Sequence, residues 1–298
     1  MQKRYYTACP REKHPGLVIF MIDQSCGLKE SSSFDGKTLA DLAADFLNCS
    51  IEELIRMNIR PMLGDEDDDD DDDDDDIRDA YMIVIISYGG YYNNPIQVIN
   101  CGYLSKIEEK YERRETNTID GKVALLSIIK PIIGYGCPMA TAFREAKNII
   151  NEWRNDGHNR DIDPSPIICN ITAKGSPIYD EGYTIKEAYS NTIQVAQEIM
   201  SMQFPDGSPR ILNVILTRDK DNEMCFPDKK CILNSNDLLT KFVFDISSEM
   251  TDVFEAVFGS GKLIIIGSNP LQKLTKLFWT HMHVGSYSIE HGRFFYTD

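Results

Sequence analysis

The sequence predicts an α/β fold with a doubly wound, mostly parallel central sheet flanked by helices. Three observations lead to this prediction: short continuous apolar runs, intervening segments with apolar residues at helical spacing, and polar residues or glycines directly after the runs. Continuous apolar runs suit strands buried on both faces, which is the situation in a parallel sheet whose crossover connections are helices.

The predicted strands share a short apolar run, and they cover residues 16–22, 81–88, 96–99, 166–172, 211–217 and 263–267. Gly89 and Gly90 are expected to turn between the second and third strands. The predicted helices show apolar residues three and four positions apart, and they cover residues 38–57, 140–153, 185–202, 248–258 and 271–280. In the first helix Ser50 marks a candidate break. The alternation of strand and helix is typical of a parallel sheet.

The charge of the chain is concentrated in one segment. The formal net charge is −16, but residues 65–76 form an uninterrupted acidic run of 12 residues, and the remainder carries only 35 acidic against 31 basic residues. Such a run repels itself and cannot bury apolar surface, so we predict a disordered, solvated loop. We place it inside a first unit, residues 12–220, and interpret residues 221–298 as a continuation of the same α/β domain.

Several classes of protein are excluded by composition and segment length. The N-terminal apolar stretch of six residues is shorter than a signal peptide requires, and no window approaches the 18 apolar residues of a membrane span. The eight cysteines lack paired CxxC spacing, and most are predicted to be reduced core residues. A basic patch interleaved with aromatics is absent from the sequence. We therefore expect a cytoplasmic protein that binds neither membranes nor nucleic acids.

The candidate site lies at the carboxyl edge of the predicted sheet. Open α/β sheets bind ligands outside the carboxyl ends of their strands, which here means just after Ile22, Tyr88, Ile133, Thr172 and Thr217. Directly after the first strand come Asp23 and Ser25, a carboxylate and a hydroxyl on a tight turn. Oxygen ligands of this kind suit a hard cation such as Mg²⁺. The alternative is that both residues only shape a turn or cap a helix.

At this point the chain resembles the von Willebrand factor A (vWA) family, which has a doubly wound, Rossmann-like sheet. The family's metal-ion-dependent adhesion site opens with Asp-x-Ser-x-Ser, and Asp23 and Ser25 match it, whereas Gly27 replaces the second serine. The stretches 52–56 and 77–89 are similar to those of small intracellular bacterial members. In that subgroup the acidic run would be an expanded loop.

Two further motifs of the family are present with altered ligands. The sequence Gly-Cys-Pro-Met at 136–139 matches a Gly-Thr-Pro-Met motif, so Cys137 occupies the position of a threonine ligand. The strand ending at Thr172 is followed by Ala173, where the family has an aspartate, and by Lys174. A thiol is a soft ligand poorly matched to Mg²⁺, and a lysine adds positive charge beside the cation position. The resemblance thus implies a degenerate metal site formed by Asp23, Ser25 and Cys137.

The resemblance implies an adaptor rather than an enzyme. We expect the strand-end loops to bind a protein partner, with Asp23, Ser25, Gly27, Cys137, Ala173 and Lys174 as the candidate partner-binding residues and no cofactor. One alternative is a Mg²⁺-dependent binder in which a carboxylate of the partner completes the coordination. A metal-dependent hydrolase ranks last, because Ser25 lacks the Gly-x-Ser-x-Gly setting of a nucleophile. His281, His283 and His291 lack cysteine or carboxylate companions at zinc spacing.

Overall fold

The first strand, β1 (Gly16–Asp23), is buried along its whole length, as its apolar run predicts. The computed structural model describes residues 8–29, 37–59, 77–91, 93–118, 121–160, 162–173, 182–217, 223–229, 238–250, 255 and 260–267. Within these residues the protein is an α/β structure with a mostly parallel central sheet flanked by helices.

Seven described strands form the central sheet. The other six are β2 (Tyr81–Tyr91), β3 (Asn94–Tyr103), β6 (Ile167–Ala173), β7 (Arg210–Leu216), β8 (Met224–Cys225) and β9 (Ile264–Gly267), and the order is β3-β2-β1-β6-β7-β9-β8. Strands β2, β1, β6, β7 and β9 are parallel, whereas β3 and β8 are antiparallel edge strands. After β1 the chain adds β2 and then β3 on one side of it. It later adds β6 and the remaining strands on the other side. The order therefore reverses between β1 and β6.

In the described part of the chain, five helices flank the sheet: α1 (Leu39–Arg56), α2 (Leu104–Lys110), α3 (Met139–Asn155), α4 (Ile185–Ser201) and α5 (Leu238–Asp245). A short 3₁₀ helix, Cys26–Lys29, follows β1 in the connection to α1. Helix α1 begins at a capping box in which the backbone N–H of Asp41 donates to Thr38 Oγ1 at 3.1 Å. The candidate break at Ser50 is wrong, because its hydroxyl donates to the Phe46 carbonyl at 2.6 Å and the helix continues.

Alternating side chains of β1 supply two cores. Val18, Phe20 and Ile22 pack in the core on the α1 face, whereas Leu17, Ile19 and Met21 pack on the face covered by α3, α4 and α5. Because successive side chains of a strand point to opposite faces, Asp23 follows Met21 and lies on the α3 face.

Four details of the strands differ from the sequence prediction. The third strand is an antiparallel hairpin partner of β2 and is longer than residues 96–99, and Gly89 and Gly90 lie inside β2. The two-stranded hairpin of β4 (Arg113–Thr118) and β5 (Gly121–Leu126) was not predicted, because β4 contains no apolar residue. Ile133 lies in the loop after β5 rather than at a strand end.

Near the C-terminus the sequence prediction is tested only in part. Residues 248–250 are not helical, since Glu249 bridges Lys262, and α5 lies before them. Strand β9 pairs with β7, so the described part of residues 221–298 extends the same sheet. The acidic run 65–76, the predicted helix 271–280 and the histidines from His281 onward lie outside the described residues.

Six cysteines of the described part of the chain differ in their exposure. Cys49, Cys137 and Cys169 are buried as predicted, whereas Cys26 and Cys225 are exposed and Cys9 is half-buried. Burial, reinforced by the nearby carboxylate of Asp45, raises the pKa of Cys49 to about 12. Among the described helices, no segment is long and apolar enough to cross a membrane.

We expect His158 to make this protein less stable as the pH is lowered. Its ring stacks on Trp153 with the ring centroids 3.7 Å apart, and burial lowers the pKa of His158 below its ordinary value of 6.5. The unfolded chain therefore takes up this proton more readily than the folded one, and stability declines as the pH drops through about 6.5. The urea midpoint should decrease between pH 7.5 and pH 5.5, and His158→Phe, which keeps a stacked ring, should reduce that decrease. An equal decrease in both proteins would contradict this assignment.

Candidate functional site

The turn after β1 fixes the carboxylate of Asp23. The backbone N–H of Ser25 donates to Asp23 Oδ1 at 2.8 Å, and the side chains of Asp23 and Ser25 are 1% and 0% exposed. The turn continues into the 3₁₀ segment that contains Gly27, where the Leu28 N–H donates to the Ser25 carbonyl. The expected turn-shaping role of Asp23 is therefore present, whatever further role the residue has.

The second carboxylate oxygen of Asp23 meets residues from two distant segments. The hydroxyl of Thr172, at the end of β6, donates to Asp23 Oδ2 at 2.8 Å, and the Cys137 sulfur lies 3.7 Å from the same oxygen. Thr172 and Cys137 are fully buried. Three segments that the sequence analysis considered together, at 23–25, 137 and 172, thus converge on one carboxylate.

Thr172 was missed as a site residue by the sequence analysis. The parallel register pairs Ile22 with Ile171, which places Asp23 beside Thr172 on the neighbouring strand. Ala173, the residue singled out from sequence, packs instead in the core on the α1 face. The signal that could have identified Thr172 is its polar character one residue before the strand end. Lys174 lies outside the described residues.

A chain of buried polar groups lies beneath Asp23 on the α3 face. Tyr88 donates its hydroxyl hydrogen to Asn170 Oδ1 at 2.8 Å, and Asn170 Nδ2 donates to Asn213 Oδ1 at 2.8 Å. Asn213 Nδ2 donates in turn to Ser247 Oγ at 2.8 Å. Burial raises the pKa of Tyr88 well above its ordinary value, and the negative charge of Asp23 raises it further. Tyr88 therefore stays protonated and acts as a hydrogen-bond donor.

Glycine residues allow three segments at the carboxyl edge of the sheet to pack closely. The Gly134 N–H donates to the Gln24 carbonyl at 2.7 Å, and the Tyr135 N–H donates to the Gly89 carbonyl at 3.0 Å. An added Cβ on Gly134 would lie 2.1 Å from the Gly89 carbonyl oxygen, so the backbones touch where a side chain cannot fit. Gly89 has φ +87°, a conformation that favours glycine. The loop after β1, the last residues of β2 and the loop before α3 thus form one platform, which we call the glycine platform.

The loop that carries Gly134 is also anchored to helix α1. Asn48 accepts the N–H groups of Ile128 and Ile129 on its Oδ1, at 3.2 and 3.1 Å, and donates Nδ2 to the Ile129 carbonyl at 3.1 Å. Both the oxygen and the nitrogen of this buried amide thereby bind one irregular segment. The position of Tyr135 at the far end of this segment is accordingly set by backbone contacts on both sides.

Exposed apolar side chains gather at the same edge of the sheet. Six of the eight large hydrophobic side chains exposed in the described residues lie there, namely Tyr91, Ile133, Tyr135, Tyr183, Ile185 and Leu238. Tyr91 ends β2, and Ile185 begins α4, which follows β6. Leu238 begins α5. Shortly after the other end of this helix, Ser248 Oγ accepts the N–H of Ile211 at the start of β7, so Leu238 lies toward the carboxyl end of that strand. We call these six side chains the apolar edge.

The candidate metal residues do not converge as a set of ionisable ligands. In the described part of the chain, no three His, Cys, Asp or Glu side chains group together. Around Asp23 the described neighbours are a hydroxyl, a thiol and a backbone N–H, and each already donates toward the carboxylate. The arrangement holds a buried carboxylate with neutral groups and offers a rigid, apolar surface next to it.

Comparisons with known proteins assign no family. No family model matches the sequence, and no curated protein matches it. Among solved structures, the pilus adhesin SpaC from Lactobacillus rhamnosus GG is 8% identical, with a TM-score of 0.47, over 93% of this chain and 31% of that chain. The human COPII-coat protein Sec24c is 8% identical, with a TM-score of 0.26, over 68% of this chain and 26% of that one. This chain therefore spans less than a third of the length of either protein, and neither similarity assigns a function.

Proposed function

We propose that this chain is a protein-interaction module of the vWA type, an adaptor that binds a protein partner through its strand-end loops without a tightly bound cation. The observation that carries the proposal is the apolar edge. Large apolar side chains exposed together at one edge of a folded protein favour an interaction site there, and tyrosine is enriched where proteins meet. Three of the six side chains are tyrosines, and Tyr135, with 75% of its surface exposed, stands on the glycine platform.

The rigidity of the platform supports a binding role. Ordering a loop costs free energy on association, so a surface whose backbone is already fixed binds more tightly for the same contacts. Gly134 and Tyr135 are fixed by hydrogen bonds to the loop after β1 and to the end of β2. A partner would meet an edge that needs little rearrangement.

The position of the site in the sheet supports the vWA-type assignment. Ligands bind to open α/β sheets where the strand order reverses, outside the carboxyl ends. Here the order reverses between β1 and β6. Asp23 is the last residue of β1, and Thr172 is the residue before the last of β6. The three segments that carry the resemblance supply neighbouring side chains although they are far apart in sequence.

The donor set does not fit Mg²⁺. This ion demands near-octahedral oxygen coordination and keeps several waters, which need space. Asp23 is the single carboxylate among the described neighbours, it is 1% exposed, and both of its oxygens accept hydrogen bonds. The neighbouring thiol of Cys137 is a soft ligand. We therefore favour recognition by surface contacts over coordination by a partner's carboxylate.

Calorimetric titration distinguishes this proposal from its Mg²⁺-dependent alternative. We expect no saturable heat when Mg²⁺ or Mn²⁺ is titrated into the purified protein, and the same baseline for Asp23→Ala. Saturable binding that is lost in Asp23→Ala would contradict the metal-independent proposal and favour the alternative. Turnover of phosphoesters by the purified protein would instead support the hydrolase.

A further inference from the structure

The edge strand β3 carries an unusual charge pattern for a surface strand. Chain-wide, 26% of residues are charged, yet no charged residue occurs between Asp79 and Lys106, a stretch that contains all of β2 and β3. Central strands such as β2 are expected to be apolar because both faces are buried. Strand β3, by contrast, reaches solvent, with Val98 48% exposed.

One side of β3 pairs with β2, and among the described residues no strand pairs with the other side. Natural proteins protect such edges with charged side chains, prolines or bulges, since an open edge can pair with a further strand. Pro95 and a register shift opposite Ile85 and Ile86 are present. The charges are missing, so the stretch from Ile96 to Tyr103 remains open to a neutral strand.

We propose that β3 pairs with β3 of a second copy of this chain, antiparallel about a two-fold axis near Val98. The surface is then self-complementary, as a two-fold interface requires, and each Val98 covers the other. An identical strand is a partner that is neutral along its whole length, which suits a strand without charges. This inference goes beyond the proposed function and does not depend on the carboxyl edge.

The acidic run decides between antiparallel and parallel pairing. It joins the described body between Ile59 and Ile77, which bridge each other shortly before β2 begins, and the start of β2 lies beside the end of β3. Antiparallel pairing places the two attachment points at opposite ends of β3, about 33 Å apart for ten residues. That distance exceeds the Debye length of about 8 Å at physiological salt. Parallel pairing would bring the two acidic runs side by side.

Few regular backbone hydrogen bonds can form between the two copies of β3, which implies a reversible monomer–dimer equilibrium. The bulge and Pro95 limit the number of regular hydrogen bonds, so we expect mass to increase with concentration rather than stay fixed. Sedimentation velocity or light scattering of the full chain should show a mass that moves from 33.9 kDa toward twice that value over the micromolar range. Raising the salt from about 0.01 M, where the Debye length is about 30 Å, to physiological strength should shift the equilibrium toward the dimer, because it screens the net charge of −16.

Val98→Lys tests the interface directly. It places two like charges opposite each other at the axis, so we expect association to weaken at least about tenfold. Ile162→Lys is the matched control, because it adds the same charge at a side chain that is 55% exposed in the loop before β6. Val98→Thr keeps a neutral β-branched residue and should still dimerise. Melting curves of the variants establish that all three are folded.

Hydrogen exchange provides an independent readout. The backbone amides of β3 should exchange more slowly at high protein concentration in the wild type and in Ile162→Lys, but not in Val98→Lys. The proposal is overturned if the wild type remains a monomer with concentration-independent exchange in β3. It is equally overturned if a segment of another protein, rather than a second copy, binds that edge. It is also overturned if Val98→Lys and Ile162→Lys dimerise equally well.

Discussion

Gly134→Ala is expected to destabilise the fold strongly. The added Cβ would lie 2.1 Å from the Gly89 carbonyl oxygen, 2.2 Å from that of Gly90 and 2.5 Å from the Gly90 carbonyl carbon. All three atoms belong to backbone, so no side chain can swing away and the loops must separate. Overpacking of this kind costs roughly 3 kcal/mol, and the cost is larger when hydrogen bonds break as well. A clear decrease in the urea midpoint should report it.

Gly102→Ala is the matched control for this prediction. Its added Cβ would meet Lys106 Cβ at 3.8 Å, which is ordinary van der Waals contact. We expect a change of about 1 kcal/mol or less, because alanine restricts the unfolded chain and fits the folded one. Equal midpoints for the two variants would show that the glycine platform is not close-packed.

The central strands were predicted from sequence because their chemistry is local. A run such as Val18 to Ile22 has no polar residue, is short and contains three β-branched residues, which favours a strand buried on both faces. Helices α1, α3 and α4 were predicted for a similar reason, since their buried residues recur at helical spacing. The edges of the sheet gave no such signal. Strand β4 is short and polar, and the antiparallel direction of β3 depends on the tight connection from β2.

The candidate site was predicted in part. Asp23 and Cys137 were identified from sequence, and the structure brings them to 3.7 Å. Thr172 was not, because its role depends on the register between β1 and β6, a long-range property that local patterns do not encode. The exposure of Tyr135 also escaped prediction, since a tyrosine among apolar neighbours is as typical of a core as of a surface.

Removing two residues of the apolar edge should abolish partner binding while leaving the fold intact. Tyr135 and Ile185 are 75% and 64% exposed, so their replacement by serine removes little buried area from the free protein. A central aromatic anchor contributes about 2 kcal/mol or more to a typical interface, which corresponds to roughly thirtyfold in affinity. The double variant Tyr135→Ser/Ile185→Ser should therefore lose the partner. Ile162→Ser, which removes a similarly exposed side chain before β6, is the matched control.

Affinity capture from a lysate of the native host tests the central claim most directly. Immobilised wild type, Ile162→Ser and the double variant are compared in buffer with EDTA and in buffer with Mg²⁺, and the bound proteins are quantified by mass spectrometry. We predict one partner, captured equally with and without Mg²⁺ by the wild type and by Ile162→Ser and lost from the double variant. A partner that binds only with Mg²⁺, or that the double variant retains, would contradict metal-independent recognition by the apolar edge.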